Sequence, residues 1–165
     1  MPLQLALQMA KPEHGSVYHS INSPQTIASK GIRRVLVVED HDDTRTMLKM
    51  ILEIEKFCVL EAVDGQEAYD AAVRERPDLI LMDWTLPGMD GLMATREIRK
   101  HSEIGKTPII FLSGRAEPAG QTAAFEAGCD DFLVKPLELD QLVGAVRKWL
   151  DLEPQQFRSG ERVHG

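Results

Sequence analysis

Five polar residues in this 165-residue chain stand where apolar runs end. Glu39 and Asp40 follow Val35-Leu36-Val37-Val38, and Asp83 follows Leu79-Ile80-Leu81-Met82. Ser113 follows Ile109-Ile110-Phe111-Leu112, and Lys135 follows Phe132-Leu133-Val134. Three carboxylates brought together repel and raise one another's pKa. A hard divalent cation relieves that repulsion, and Mg²⁺ prefers oxygen ligands in near-octahedral geometry with several waters retained. A carboxylate is also a nucleophile toward phosphorus and forms an aspartyl phosphate. A hydroxyl and an ammonium would then meet the phosphoryl oxygens. Phosphoryl transfer asks of a protein mainly positioning and charge neutralisation, and this set supplies both.

The elements that must position these residues are legible in the same runs. The runs are continuous rather than alternating and rich in β-branched residues, as are strands buried on both faces of a parallel sheet. Phe57-Cys58-Val59-Leu60 is a further run of this kind. Helical patterns lie between them. Asp42 or Asp43 can cap a helix carrying Met47, Leu48, Ile51 and Leu52. Asp64 with Glu67 has capping-box spacing ahead of Ala68, Ala71 and Ala72. Asp90 can cap a helix running through Leu92 and Ile98. Pro118 suits a first helical position and Gly128 the residue past a helix end. Leu139, Leu142, Val146 and Trp149 recur at spacings of three and four. Five strands alternating with five helices make an α/β domain with a doubly wound parallel sheet. In such a sheet ligands bind beyond the carboxyl ends of the strands. With the first strand central and the third, fourth and fifth following on one side, all five polar residues converge on one rim.

Composition excludes several classes. Apolar residues make up 43% and charged residues 27%, which is ordinary for a soluble globular protein. Acidic residues outnumber basic ones by 26 to 19, for a net charge of −7. That balance opposes non-specific binding to nucleic acid or to an anionic membrane surface. No apolar run approaches the roughly 18 residues of a spanning helix. The two cysteines, Cys58 and Cys129, have no metal-ligand spacing, so a disulfide framework and a zinc module are excluded. They read as reduced thiols in a cytoplasmic protein, Cys58 filling the core and Cys129 in a loop. His14, His19, His41, His101 and His164 are scattered and form no metal pair. Residues 1–31 read as a flexible arm, with Pro12, Gly15 and Pro24 among polar residues and no period. Residues 152–165 read as a disordered tail, which leaves 32–151 as the domain.

Four motifs carry a resemblance. They are Val35 to Asp40, Leu79 to Gly91, Pro108 to Gly114, and Ala127 to Pro136. Taken in order, they resemble the receiver domain of two-component response regulators, over about Arg33 to Leu150. The resemblance implies a five-stranded sheet in the flavodoxin-like order 2-1-3-4-5. It implies that Asp83 is the phospho-acceptor, taking its phosphoryl group from a phosphohistidine on a sensor histidine kinase or a histidine phosphotransfer protein. Glu39 and Asp40 would hold Mg²⁺ together with Asp83, and the backbone carbonyl of Thr85 would complete the metal site. Ser113 would hydrogen-bond to the phosphoryl group and Lys135 would pair with it. Ser113 and Phe132 would be the switch pair, and the Lys135–Pro136 peptide is expected to be cis. Three positions depart from the commonest pattern. Glu39 replaces the more frequent Asp, Phe132 lacks the hydroxyl of the frequent Tyr, and Gly114 leaves room for an aromatic swing. Trp84 is expected near the metal and mostly exposed. Thr85 and Arg115 are expected to flank the phosphoryl site and tune hydrolysis.

Fewer than thirty residues follow Pro136, and an output domain needs roughly 50 or more. The expectation is therefore a stand-alone receiver of the chemotaxis kind, monomeric or weakly dimeric. It would catalyse only its own phosphorylation and dephosphorylation and signal to a downstream protein of unknown identity. The first helix, with Met47, Met50 and Ile51 near its exposed side, is the expected dock for the histidine-bearing partner, and Arg45 and Lys49 are the charges that test it. Two other classes stand beside this reading. An aspartyl-nucleophile phosphatase would want Asp-x-Asp at the first strand end, where Glu39-Asp40-His41-Asp42 stands instead, and would bring a cap domain. A pseudo-receiver would bind partners independently of phosphorylation, and the intact acceptor, acids and lysine oppose it.

Overall fold

The computed structural model describes residues 31–114 and 117–152. Within them five strands alternate with five helices: β1 (Arg34–Val38), α1 (Asp42–Ile54), β2 (Cys58–Ala62), α2 (Gly65–Glu75), β3 (Leu79–Asp83), α3 (Gly91–Lys100), β4 (Ile109–Ser113), α4 (Pro118–Ala127), β5 (Asp131–Val134) and α5 (Leu139–Trp149). The strands form one parallel sheet in the order β2-β1-β3-β4-β5. Val38 lies opposite Met82, Asp83 opposite Leu112, and Ser113 opposite Val134. The carboxyl ends of β1, β3, β4 and β5 are thus level.

Side chains alternate across a strand, so each central strand feeds a core on either face. Leu36, Val38, Ile80, Met82, Ile109 and Phe111 pack against the alanines of α2 and against Ala94, Ile98 and Ala124 of α3 and α4. Val35, Val37, Leu79, Leu81, Ile110 and Leu112 pack against Leu48 and Leu52 of α1 and Leu142 and Val146 of α5. All of β3 and β4 is buried, which is why their runs carry no polar alternation. Asp64 and Asp90 cap α2 and α3 as expected, accepting from the Glu67 and Met93 N–H groups. Glu67 completes the first cap one residue early, accepting from the Val63 N–H. Pro118 opens α4, and Gly128 closes it at φ +104°, a conformation that glycine adopts without strain.

Several expectations need correction. Phe57 is buried but lies outside β2, which runs on to Ala62. Cys58 is exposed rather than in the core, whereas Cys129 lies in a loop as expected and is buried there. β2 is an edge strand, and a run of apolar type does not tell an edge from the middle of a sheet. Asp42 and Asp43 do not cap α1. His41 holds that position without a side-chain hydrogen bond to the helix N-terminus, and both aspartates fall in the first turn, where negative charge favours the helix dipole. In α5, Leu142 and Val146 are buried while Leu139 is exposed. The arm at 1–30, residues Arg115 and Ala116, and the tail from 153 onward lie outside the described residues, and so do His14, His19 and His164.

Candidate functional site

The level strand ends place the polar residues side by side. Glu39 follows β1 directly, and its backbone N–H donates to Ala62 O of β2 at 3.1 Å. Asp83 is the last residue of β3. Lys135 follows β5, and its backbone N–H donates to the Ser113 carbonyl at 2.8 Å. The loop after β3 folds back on the strand, with the Gly91 N–H on Trp84 O at 3.1 Å. A Cβ at Gly91 would stand 2.3 Å from the Asp83 carbonyl oxygen, so only glycine allows this approach.

The Lys135 ammonium is the centre of the site. Its Nζ donates to Glu39 Oε2 at 2.7 Å and to Asp83 Oδ1 at 3.0 Å. Glu39 is wholly buried and Asp83 is 5% exposed. One ammonium thus serves two buried carboxylates, with a third at Asp40 beside them. Burial pushes the Asp83 carboxyl above its ordinary value, and the nearby charges of Glu39 and Asp40 add to this against the pull of Lys135. Burial pulls Lys135 the other way, but its two carboxylate partners outweigh it and hold the ammonium above its usual value. The site carries more negative charge than its own lysine satisfies.

That excess is what a cation would relieve. Asp40 Oδ1 is buried, and the polar atom that faces it is His41 Nδ1, 2.9 Å away. A buried carboxylate oxygen is costly unless a positive charge meets it. The donor set of Glu39, Asp40 and Asp83 is all oxygen, so these residues fit Mg²⁺. Thr85 is exposed two residues past Asp83.

Ser113 is buried at the end of β4, on the strand between Asp83 and Lys135. Phe132 is half-buried, lies opposite Phe111 in the register, and packs against the α2–α3–α4 core. The Lys135–Pro136 peptide is cis, as expected. Trp84 corrects another expectation, because it is half-buried rather than mostly exposed. Its ring stands edge-on to Phe111 with centroids 5.9 Å apart.

Two residues belong to the site beyond the sequence expectation. His41 forms no metal pair by spacing, yet its Nδ1 also lies 3.2 Å from Glu39 Oε1. Hydrogen bonding to Glu39, then the charge of Asp40, raises its pKa. Its place directly after an acidic pair was the available signal. Arg45 is expected on the docking face of α1. Its guanidinium turns inward instead, and Nη1 donates to the Glu39 carbonyl at 2.9 Å. Reversing that charge would therefore disturb the acidic loop itself.

Residues 35–147 match the family model described as the response regulator receiver domain. Over 116 residues the chain is 40% identical to the transcriptional regulatory protein SrrA of Staphylococcus aureus (strain NCTC 8325 / PS 47), covering 70% of this chain and 47% of that protein. The chain thus spans about half the length of the curated relatives it matches. Two solved structures are also similar. The receiver domain of the sensor histidine kinase PA1611 from Pseudomonas aeruginosa PAO1, with a magnesium ion coordinated in the active site cleft, superposes with a TM-score of 0.69. It is 34% identical, with 73% of this chain and 99% of that chain covered. The chemotaxis protein CheY4 of Vibrio cholerae gives a TM-score of 0.70 at 29% identity, with 73% of this chain and all of that chain covered.

Proposed function

The chain belongs to the response regulator receiver domain family, and on that premise we propose that it accepts a phosphoryl group on Asp83. The donor is a phosphohistidine on a sensor histidine kinase or a histidine phosphotransfer protein. One observation carries the reading: the buried Asp83 carboxylate shares its only ion-pair partner among the described residues, Lys135, with the equally buried Glu39.

Glu39, Asp40 and Asp83, with the Thr85 carbonyl, would hold Mg²⁺. Bound there, the ion neutralises charge on the carboxylates and on the phosphoryl oxygens. The chain's own residues do the rest. An Asp83 carboxylate oxygen attacks phosphorus, the P–O bond forms as the P–N bond breaks, and the leaving imidazole takes a proton from solvent. Lys135 is already 3.0 Å from the Asp83 oxygen, so it can follow the charge onto the phosphoryl group as a short ion pair. The Ser113 hydroxyl, one strand over, donates to the same group. Drawing Ser113 toward Asp83 vacates space at the end of β4, into which Phe132 turns. Gly114, just beyond, gives a ring no side chain to strike: an added Cβ would meet nothing within 4 Å. The population of the α4–β5–α5 face shifts with it. The chain turns over no external substrate and works in the cytoplasm, signalling through a downstream protein. Thr85 and Arg115 tune the lifetime of the acyl phosphate.

Labelling with phosphoramidate and then reducing with borohydride tests this. An aspartyl phosphate at Asp83 is converted to homoserine at that position, read by peptide mass spectrometry. Homoserine elsewhere, or none in protein that binds Mg²⁺, would overturn the assignment.

A further inference from the structure

The peptide carrying the acidic pair is held from both sides. Its Glu39 N–H is fixed on Ala62 O of β2, and its Glu39 carbonyl is fixed on Arg45 Nη1 of α1. Arg45 is itself held. Its Nη2 pairs with Asp42, and its Nε lies 3.4 Å from Glu61 Oε1. Glu61 precedes Ala62 in β2, so both grips on Glu39 lead back to the same edge strand. The Arg45 side chain is only 14% exposed, although α1 is a surface helix. A planar fork with five donors on three nitrogens can span a carbonyl and two carboxylates at once, a fixed spread that the single nitrogen of a lysine does not reproduce.

From this geometry we infer that Arg45, braced by Glu61, is a positioning residue for the cation site. It sets the affinity of the Glu39–Asp40 pair for Mg²⁺ by fixing the backbone between β1 and α1. The inference rests on the reading of that pair as the Mg²⁺ site. It also runs against simple electrostatics. A guanidinium bound to the Glu39 carbonyl repels a cation arriving at Glu39 and Asp40. If charge alone mattered, its removal would tighten Mg²⁺ binding. If Arg45 positions the ligands, its removal weakens binding. Partners that orient metal ligands in this way typically change affinity by about 10- to 100-fold.

The test is a Mg²⁺ titration of the full chain followed by the fluorescence of Trp84, with the thermal midpoint recorded in EDTA. Arg45→Met is expected to weaken Mg²⁺ binding by about tenfold or more. Arg45→Lys, which keeps the charge but loses the fork, is expected to weaken it as well. Glu61→Gln leaves the grip on Glu39 but removes a brace, so a smaller loss is expected. Should Arg45→Met fail to fold, Arg45→Lys carries the same expectation. Tighter or unchanged binding in the Arg45 variants, beside a normal wild-type titration, would overturn the inference, even if the thermal midpoint fell. No Mg²⁺ response in the wild type would overturn the functional reading, and this inference with it.

Discussion

Lys135 cannot neutralise both carboxylates it touches. Glu39 and Asp83 share its one charge, and burial holds the Asp83 carboxyl above its ordinary value. The ionised Asp83 is therefore a burden on the fold without a cation. Asp83→Asn should show a higher urea midpoint than wild type in EDTA, and a smaller gain on adding Mg²⁺. A lower midpoint in EDTA would mean that the Lys135–Asp83 pair outweighs the burial. The cysteines give a second prediction. Burial, then the charge of Asp130, pushes the Cys129 thiol up to about 12. Below its ordinary value of 9.0 the thiol is neutral in both states. Its contribution to stability is whole there and is lost as the pH climbs toward about 12. At pH 8 an alkylating reagent should modify exposed Cys58 alone, and both thiols only in denaturant. Rapid modification of Cys129 in the native state would contradict this. The two thiols also mark a limit of reading a sequence. Both are apolar enough to sit in or beside a core, and no spacing shows that Cys58 opens an edge strand exposed while Cys129 packs into the core beside Ala124.

The caps of α2 and α3 were legible because Asp64 and Asp90 have no competing partner nearby in the chain. The cap of α1 was not. Asp42 stands three residues before Arg45 and pairs with it, so its carboxylate is drawn along the helix rather than over its N-terminus. The strand ends, and hence Glu39, Asp40, Asp83, Ser113 and Lys135, were legible because each run stops at a polar residue. The inward turn of Arg45 depends on Glu61, on another strand, and no spacing within α1 could reveal it. The loop between β3 and α3 carries its own test. Gly91→Ala would drive a Cβ to 2.3 Å from the Asp83 carbonyl oxygen. The backbone must move, at a cost of about 1–3 kcal/mol, read by urea denaturation. Because the atom it strikes belongs to Asp83, phosphorylation should slow as well. Unchanged stability and rate would show that the loop yields freely.

At the scale of the molecule, one edge of a parallel sheet gathers residues separated by almost a hundred positions, from Glu39 to Lys135. The alternation of strands and helices dictated that convergence, and the order β2-β1-β3-β4-β5 completes it. No helix among the described residues is long and apolar enough to cross a membrane. Because a cation would bind the folded site and not the unfolded chain, free Mg²⁺ at 100 times its dissociation constant should stabilise the protein by about 2.7 kcal/mol. Loss of that gain in Asp40→Asn would confirm where the ion sits, and an equal gain in the variant would place it elsewhere. The most direct test of the central claim is intact mass after incubation with acetyl phosphate, with and without Mg²⁺, for wild type and Asp83→Asn. One added phosphoryl group is expected, dependent on Mg²⁺ and absent from Asp83→Asn. A wild type that gains nothing, or an Asp83→Asn variant that gains the same group, would contradict the assignment of Asp83 as the acceptor.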